Sequence, residues 1–174
     1  MGVSEEAAAA ALATLERDGL VSRHANGTFR AAPLAVAEAR RLYPSAVVLE
    51  SLAIRVSPVP FPPAALEGLR RANANFVAAR TDPPAAVMAD DYFHRLLTGH
   101  CGNAHLLAAL RPIKRALLRY EHVYMAEPER IDASAAQHAT IIAALASGDH
   151  AGAAQLLRQN LTRGLPALTG ALER

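Results

Sequence analysis

The chain has 174 residues, of which 52% are apolar and 20% charged, and its formal net charge is only +2. That length gives one full domain plus a fragment, with the composition of a folded chain and not a disordered one. No apolar run approaches the roughly 20 residues that span a bilayer, the first residues lack the basic start of a secretory leader, and the single Cys101 excludes an internal disulfide framework and suits a reducing cytoplasm. The small net charge does not by itself announce a nucleic-acid binder.

Taken in chain order, Ser4 followed by Glu5 and Glu6 reads as a helix start, with Ser4 as cap and the acids at the positive end of the dipole. The helix runs through Ala7 to Arg17 and stops at Gly19. Two short strand-like runs follow, 20–24 and 28–31. Asn26-Gly27 lies between them and tolerates positive φ at both turn positions, so a β-hairpin is expected. After Pro33 the strand signals cease. A short helical run at 34–42 comes first, and Pro44 opens a helix to about Val56. Further helices are expected over 64–79, from Asp82 to about Gly99, and from Asn103 to about Met125 with Pro112 kinking or breaking it. Another runs from about Ser134 to Gly148. The last starts at an Asp149 cap and reaches the C-terminus, bent near Gly164 and Pro166. The expected fold is therefore mostly α: a helix plus β-hairpin over 1–33, then an antiparallel bundle of about six helices over 34–174.

The third bundle helix carries polar residues where a core should be. Val87, Asp90, His94 and Leu97 fall on one inward stripe. His138 heads a stripe with Ile142 and Leu145, and Asn160 shares a face with Leu157, Gly164 and Leu168. Burying an unpaired charge is costly, so these groups need partners. One reading gathers Asp90, His94, His138 and Asn160 around a divalent metal, for which imidazole with carboxylate suits zinc, nickel or manganese-like ions. The other keeps Asp90–His94 as a helix pair, with His138 and Asn160 satisfied separately in the core.

The stretch Ala89-Asp90-Asp91-Tyr92-Phe93-His94-Arg95-Leu96-Leu97, followed by Gly102-Asn103, resembles the "D-x-x-F-H-x-x-L … G-N" signature of the FCD domain. That domain is the effector half of one large subfamily of GntR transcriptional regulators. Residues 137–149 resemble its "E-H-x-x-I-x-x-A-L-x-x-G-D" signature, and residues 157–161 resemble the closing "M-R-x-H-L". At the N-terminus Gly2-Val3-Ser4, Ala11-Leu12, Leu15-Glu16, 18–21 and the Asn26-Gly27-Thr28-Phe29 turn are similar to the recognition helix and wing of such regulators. The resemblance implies a winged helix feeding a helical bundle, a homodimer on operator DNA, and a small organic acid as effector. It also implies a metal held by one Asp and three His, with an open position that could take the acid's carboxylate. Carried over by residue, the ligands are Asp90, His94 and His138, with the neutral amide of Asn160 where the last His usually stands.

The chain departs from the pattern elsewhere. The first two helices of a winged helix are missing, Glu5, Glu6 and Ala9 replace basic and hydroxyl residues of the recognition helix, and Ala46 stands where an arginine is usual. Acids facing phosphate repel it, so weak DNA binding is expected. Ser4, Arg23, Asn26 and Arg30 are the candidate DNA contacts, although a solvated hairpin explains the last three equally. Arg119 and Tyr120 are candidate effector contacts, while Arg115 reads as part of a surface charge row. His100, His105 and His122 fit no ligand spacing. Cys101 beside His100 lacks a third orienting group, and no nucleophile motif or phosphate loop is present, so an enzyme is not expected. The competing functional reading is a truncated regulator: a small-molecule or metal-sensing and dimerisation module without useful DNA affinity.

Overall fold

The computed structural model describes residues 3–173; Gly2, from the recognition-helix-like stretch, lies outside them, as do Met1 and Arg174. Contacts divide the chain into two compact units, 1–35 and 36–174.

The smaller unit holds α1 (Glu5–Arg17), β1 (Val21–Arg23) and β2 (Phe29–Ala31). Ser4 caps α1 by accepting from Ala7 N–H at 3.2 Å, and the acids Glu5 and Glu6 occupy the first turn. The strands pair antiparallel, Val21 opposite Ala31 and Arg23 opposite Phe29. The turn departs from the expected one. Only Gly27 takes positive φ (81°). Its N–H donates to His24 C=O at 2.9 Å, while His24 N–H donates to Thr28 C=O at 2.8 Å. That is a three-residue loop closed by a left-handed glycine, not a two-residue loop with two left-handed residues. Asn26 uses its side chain, which accepts from Thr28 N–H at 3.1 Å.

The larger unit is a bundle of six helices: α2 (Val36–Arg55), α3 (Pro63–Ala78), α4 (Pro83–Gly99), α5 (Ala104–Tyr124), α6 (Pro128–Ala146) and α7 (His150–Leu172). The packing partners close a ring, in the order α2, α5, α4, α3, α6, α7 and back to α2. Asp82, Asn103 and Asp149 cap α4, α5 and α7 as their positions suggest, accepting from Ala85, Leu106 and Gly152 N–H. None of the helices is long and apolar enough to cross a membrane, among the described residues.

Two helix boundaries need correction. Residues before and after Pro44 form one helix, and α6 begins at Pro128, well before Ser134. Pro128 sits in the first turn, where its missing N–H costs nothing, and Ser134 is buried inside the helix. Pro112 and Pro166 also lie within unbroken helices. Pro44, Pro112 and Pro166 are all exposed. Water can solvate the carbonyl that each proline frees on that outer side, while buried neighbours such as Tyr43, Ala116 and Leu168 hold the inner face.

The apolar interior falls into two main clusters. One gathers Ile54, Phe61, Leu69, Phe93, Leu97, Ile141, Leu145 and Leu157. The other gathers Phe76, Val87, Tyr124, Met125 and Ile131. Asp90 and His94 follow Val87 and precede Leu97 on the same face of α4, so the helix that supplies both clusters also carries polar groups between them.

Gly164 shows how closely α7 approaches α2: an added Cβ would stand 3.1 Å from Tyr43 Cε1 and 3.3 Å from its hydroxyl. Gly68 in α3 has only Leu96 at 3.9 Å. Gly68→Ala should therefore stabilise the fold by about 0.5–1 kcal/mol through helix propensity. Gly164→Ala should destabilise it, because Tyr43 is buried and tethered to Glu121. Urea unfolding of both variants checks the opposite signs; a gain for Gly164→Ala would show that α2 and α7 can move apart freely.

Candidate metal centre

The polar stripes of α4 and α6 meet inside the ring. One donor atom each from Asp90, His94 and His138 lies within 4.8 Å of the other two, and all three residues are buried. Asp90 Oδ2 is 3.7 Å from His94 Nε2, and Asp90 Oδ1 is 3.5 Å from His138 Nε2. The i, i+4 spacing on α4 places the carboxylate and one imidazole on one face, and α6 brings the second imidazole from across the ring.

Each imidazole is held from behind. His94 Nδ1 meets Glu50 Oε2 of α2 at 2.6 Å. Glu50 Oε1 in turn meets Lys114 Nζ of α5 at 3.2 Å. His138 Nδ1 meets Asn73 Oδ1 of α3 at 3.0 Å, and Asn73 Nδ2 donates to Ala135 C=O at 3.0 Å. An amide oxygen accepts only, so His138 Nδ1 carries the proton and Nε2 presents its lone pair toward Asp90. That Nε2 is buried and has no hydrogen-bond partner. Phe93 stacks flat on the His138 ring, with centroids 3.8 Å apart and planes 11° from parallel. Side chains from five helices thus fix two imidazoles with Nε2 converging on one carboxylate, the arrangement of metal-binding histidines backed by hydrogen-bonded partners. The orphaned Nε2 and the donor set both fit a divalent cation.

The electrostatics agree. Burial pushes the His138 pKa well below its usual value, as do the charges of His94 and Lys114, so the ring is neutral and able to donate its lone pair. For His94 burial acts downward too and is the largest single effect, but the charge and hydrogen bond of Glu50 together with the Asp90 charge outweigh it and the pKa rises. An incoming metal must therefore displace a proton there. Burial raises Asp90. Glu50 is also buried, yet Lys114 and His94 hold it ionised, with its pKa down to about 2.

Asn160 lines a small chamber beside Asp90 and His94, together with Tyr43 and Glu121. Its Nδ2 donates to Gln137 Oε1 at 2.9 Å. Arg119 and Tyr120 are engaged elsewhere, since both bind Glu38 Oε2 of α2, Arg119 at 2.7 Å and Tyr120 through its hydroxyl. They line neither the chamber nor the cleft between α4 and α5, whereas Arg115 does line that cleft. In the smaller unit Arg23 lies over the Phe29 ring and 3.7 Å from Glu16, and Arg30 is exposed. Ser4 and Asn26 serve the cap and the turn. Sequence reasoning missed Glu50, Asn73, Lys114 and Glu121. Glu50 sits four residues after buried Ala46, and that inward acid was the signal available.

The FCD domain profile matches residues 41–163. No curated protein matches the sequence. In three dimensions the chain is similar to a Rhodococcus sp. RHA1 protein assigned to the GntR transcriptional regulators, with a TM-score of 0.82 at 20% identity, over 97% of this chain and 81% of that one. It is also similar to McbR/YncC of E. coli, with a TM-score of 0.79 at 16% identity, over 97% and 82%. A GntR-family transcriptional regulator of Pseudomonas syringae pv. tomato str. DC3000 gives a TM-score of 0.63 at 21% identity, over 99% and 72%. At these identities the likeness establishes the fold.

Glu121 makes the stability of the bundle depend on pH. Its carboxylate accepts from Tyr43 at 3.0 Å, and burial, then the nearby Asp90 charge, raise its pKa from 4.5 to about 7. The folded state then binds this proton more tightly than the unfolded one, so stability from this group is present below about 4.5 and is lost as pH rises through about 7. Glu121→Gln mimics the protonated acid. In metal-free protein it should match the wild type at about pH 4 and exceed it at about pH 8 by about 2 kcal/mol, allowing for partial exposure. Urea titrations at the two pH values check this; equal stability at both would mean that Glu121 feels neither burial nor Asp90.

Proposed function

The chain belongs to the FCD domain family of GntR-type transcriptional regulators, and from that premise we propose that it regulates transcription in response to a small organic acid bound in its helical domain, with a divalent metal at Asp90, His94 and His138. The observation that carries the metal is the convergence of three buried donor atoms, with each imidazole oriented from behind. Asn160 would be a neutral fourth donor, weaker than imidazole. The metal would supply positive charge against Asp90 and Glu121 and tie α4 to α6. Imidazole with carboxylate suits zinc, nickel or manganese-like ions. As a regulator the chain would act in the cytoplasm.

Calorimetry with zinc on chelator-treated protein tests this reading. His94→Ala should nearly abolish binding, and Asn160→His should tighten it. Asn73→Ala, which frees the His138 ring, should weaken binding about 10–100-fold. Unchanged metal content in His94→Ala would leave the three residues as a buried hydrogen-bond cluster.

The DNA side of the reading is weaker. Two acids stand in the first turn of α1, Ser4 and Asn26 already serve their own backbone, and Arg23 and Arg30 remain as phosphate contacts. This supports, as a second reading, a sensing and dimerisation module without useful DNA affinity. In both readings the chain pairs with a second copy. The exposed residues Val48 and Leu52 on α2, with Val56 just past its end, favour pairing, since contiguous apolar surface is costly in water. Sedimentation of the free chain, alone and with labelled duplex DNA, checks both points together. The expected outcome is a dimer that binds DNA weakly, with little sequence preference and steep salt dependence. A monomer at micromolar concentration, or nanomolar selective binding, would refute the corresponding half.

A further inference from the structure

The chamber beside Asp90 is too small for an organic acid. Its volume is about 20 Å³, room for one water and little more. Two carboxylates, Asp90 and Glu121, already face it and would share it with the metal, which leaves no room for the carboxylate of a further acid. A second cavity lies between α4 and α5, with a volume of about 440 Å³, within the usual range for small-molecule sites. Four basic side chains, Arg95, Arg111, Lys114 and Arg115, line it against two carboxylates, Glu50 and Asp91. Arg95 is 3.1 Å from Asp91, and Lys114 is 3.2 Å from Glu50. Arg111, Lys114 and Arg115 fall three and four residues apart on α5, which puts them on one side of that helix. Apolar walls come from Leu107 and Leu118 on α5 and from Met88 across the cleft, which is 56% exposed.

We propose that the α4–α5 cleft is the ligand seat of this chain and that it takes an amphipathic carboxylate, with its head on Arg111 and Lys114 and its tail against Met88, Leu107 and Leu118. This rests on the reading of the chain as an acid-responsive regulator and moves the acid away from the metal chamber. The site has a built-in link to the metal centre. A carboxylate at Lys114 competes with Glu50 for the ammonium group, and Glu50 is the group that orients His94. Ligand in the cleft and metal in the chamber therefore alter each other's affinity, and by the same factor in both directions.

Octanoate is a suitable probe, with methyl octanoate and acetate as the ligands lacking charge and tail. Calorimetry on the full chain should show octanoate binding, with either control weaker by about tenfold or more. Arg111→Glu and Met88→Glu change exposed positions and should leave helical content intact by circular dichroism. Each should weaken octanoate by about tenfold or more. Octanoate bound equally by the wild type and both variants would overturn the cleft while leaving an acid-responsive regulator in place. Loss of octanoate in Asp90→Ala alone would put the acid in the chamber and also overturn the cleft. No binding by octanoate or by a panel of aliphatic and aromatic carboxylates would remove both the cleft and the acid-responsive reading.

Discussion

One buried carboxylate sets the geometry of the bundle interior. Glu50 is fully enclosed, and its two oxygens reach two other helices, His94 of α4 and Lys114 of α5. A charge taken out of water is tolerable only when its partners are close and correctly aligned, and removing one partner from such a pair commonly costs about 3–5 kcal/mol. The positions of α2, α4 and α5 are thus coupled through three side chains. Loosely packed alternatives would leave an ionised group stranded, so this constraint favours a single arrangement of the ring.

The surrounding core makes that constraint useful. Phe93 belongs to the larger apolar cluster and also stacks on His138, so the packing that stabilises the fold also holds an imidazole plane in place. Asn73 does the same through a polar contact, with its amide divided between His138 and the α6 backbone. The result is a rigid inner chamber scaled to an ion or a water, beside an outer cleft scaled to an organic molecule. His94 touches both spaces, while Glu50 and Lys114 line only the cleft and reach the chamber through His94.

Much of this was readable from spacing. Asp90 and His94 lie one turn apart between apolar neighbours, and His138 heads an apolar stripe, so each could be placed on an inward face before any helix was packed. Their partners could not. Glu50, Asn73 and Lys114 sit on three other helices, and nothing in a linear pattern says which inward polar group meets which. Lys114 in particular looks like an ordinary surface lysine until its stem crosses to Glu50. Arg119 and Tyr120 are the reverse case: as a cation and a hydroxyl they suit a carboxylate, and the one they hold in the structure is Glu38 of the same chain. Prolines misled for a related reason. Pro44 disfavours helix locally, but the buried residues on either side of it impose continuity, and tertiary packing overrides a penalty incurred on the solvent face.

Pro44 leaves a mark on α2 all the same. With no N–H to give, it leaves the carbonyl four residues earlier, that of Arg40, outside the intrahelical ladder. The first two turns of α2 are therefore joined to the remainder by a step with one rung missing. Those turns carry Glu38, and the clasp of Arg119 and Tyr120 on Glu38 ties them to the side of α5. Side chains thus take over part of the support that backbone bonds give an uninterrupted helix. The leading segment of α2 is a braced arm: the reach of one glutamate side chain fixes it against α5, while buried Ala39 and Tyr43 keep it in line with the helix behind it.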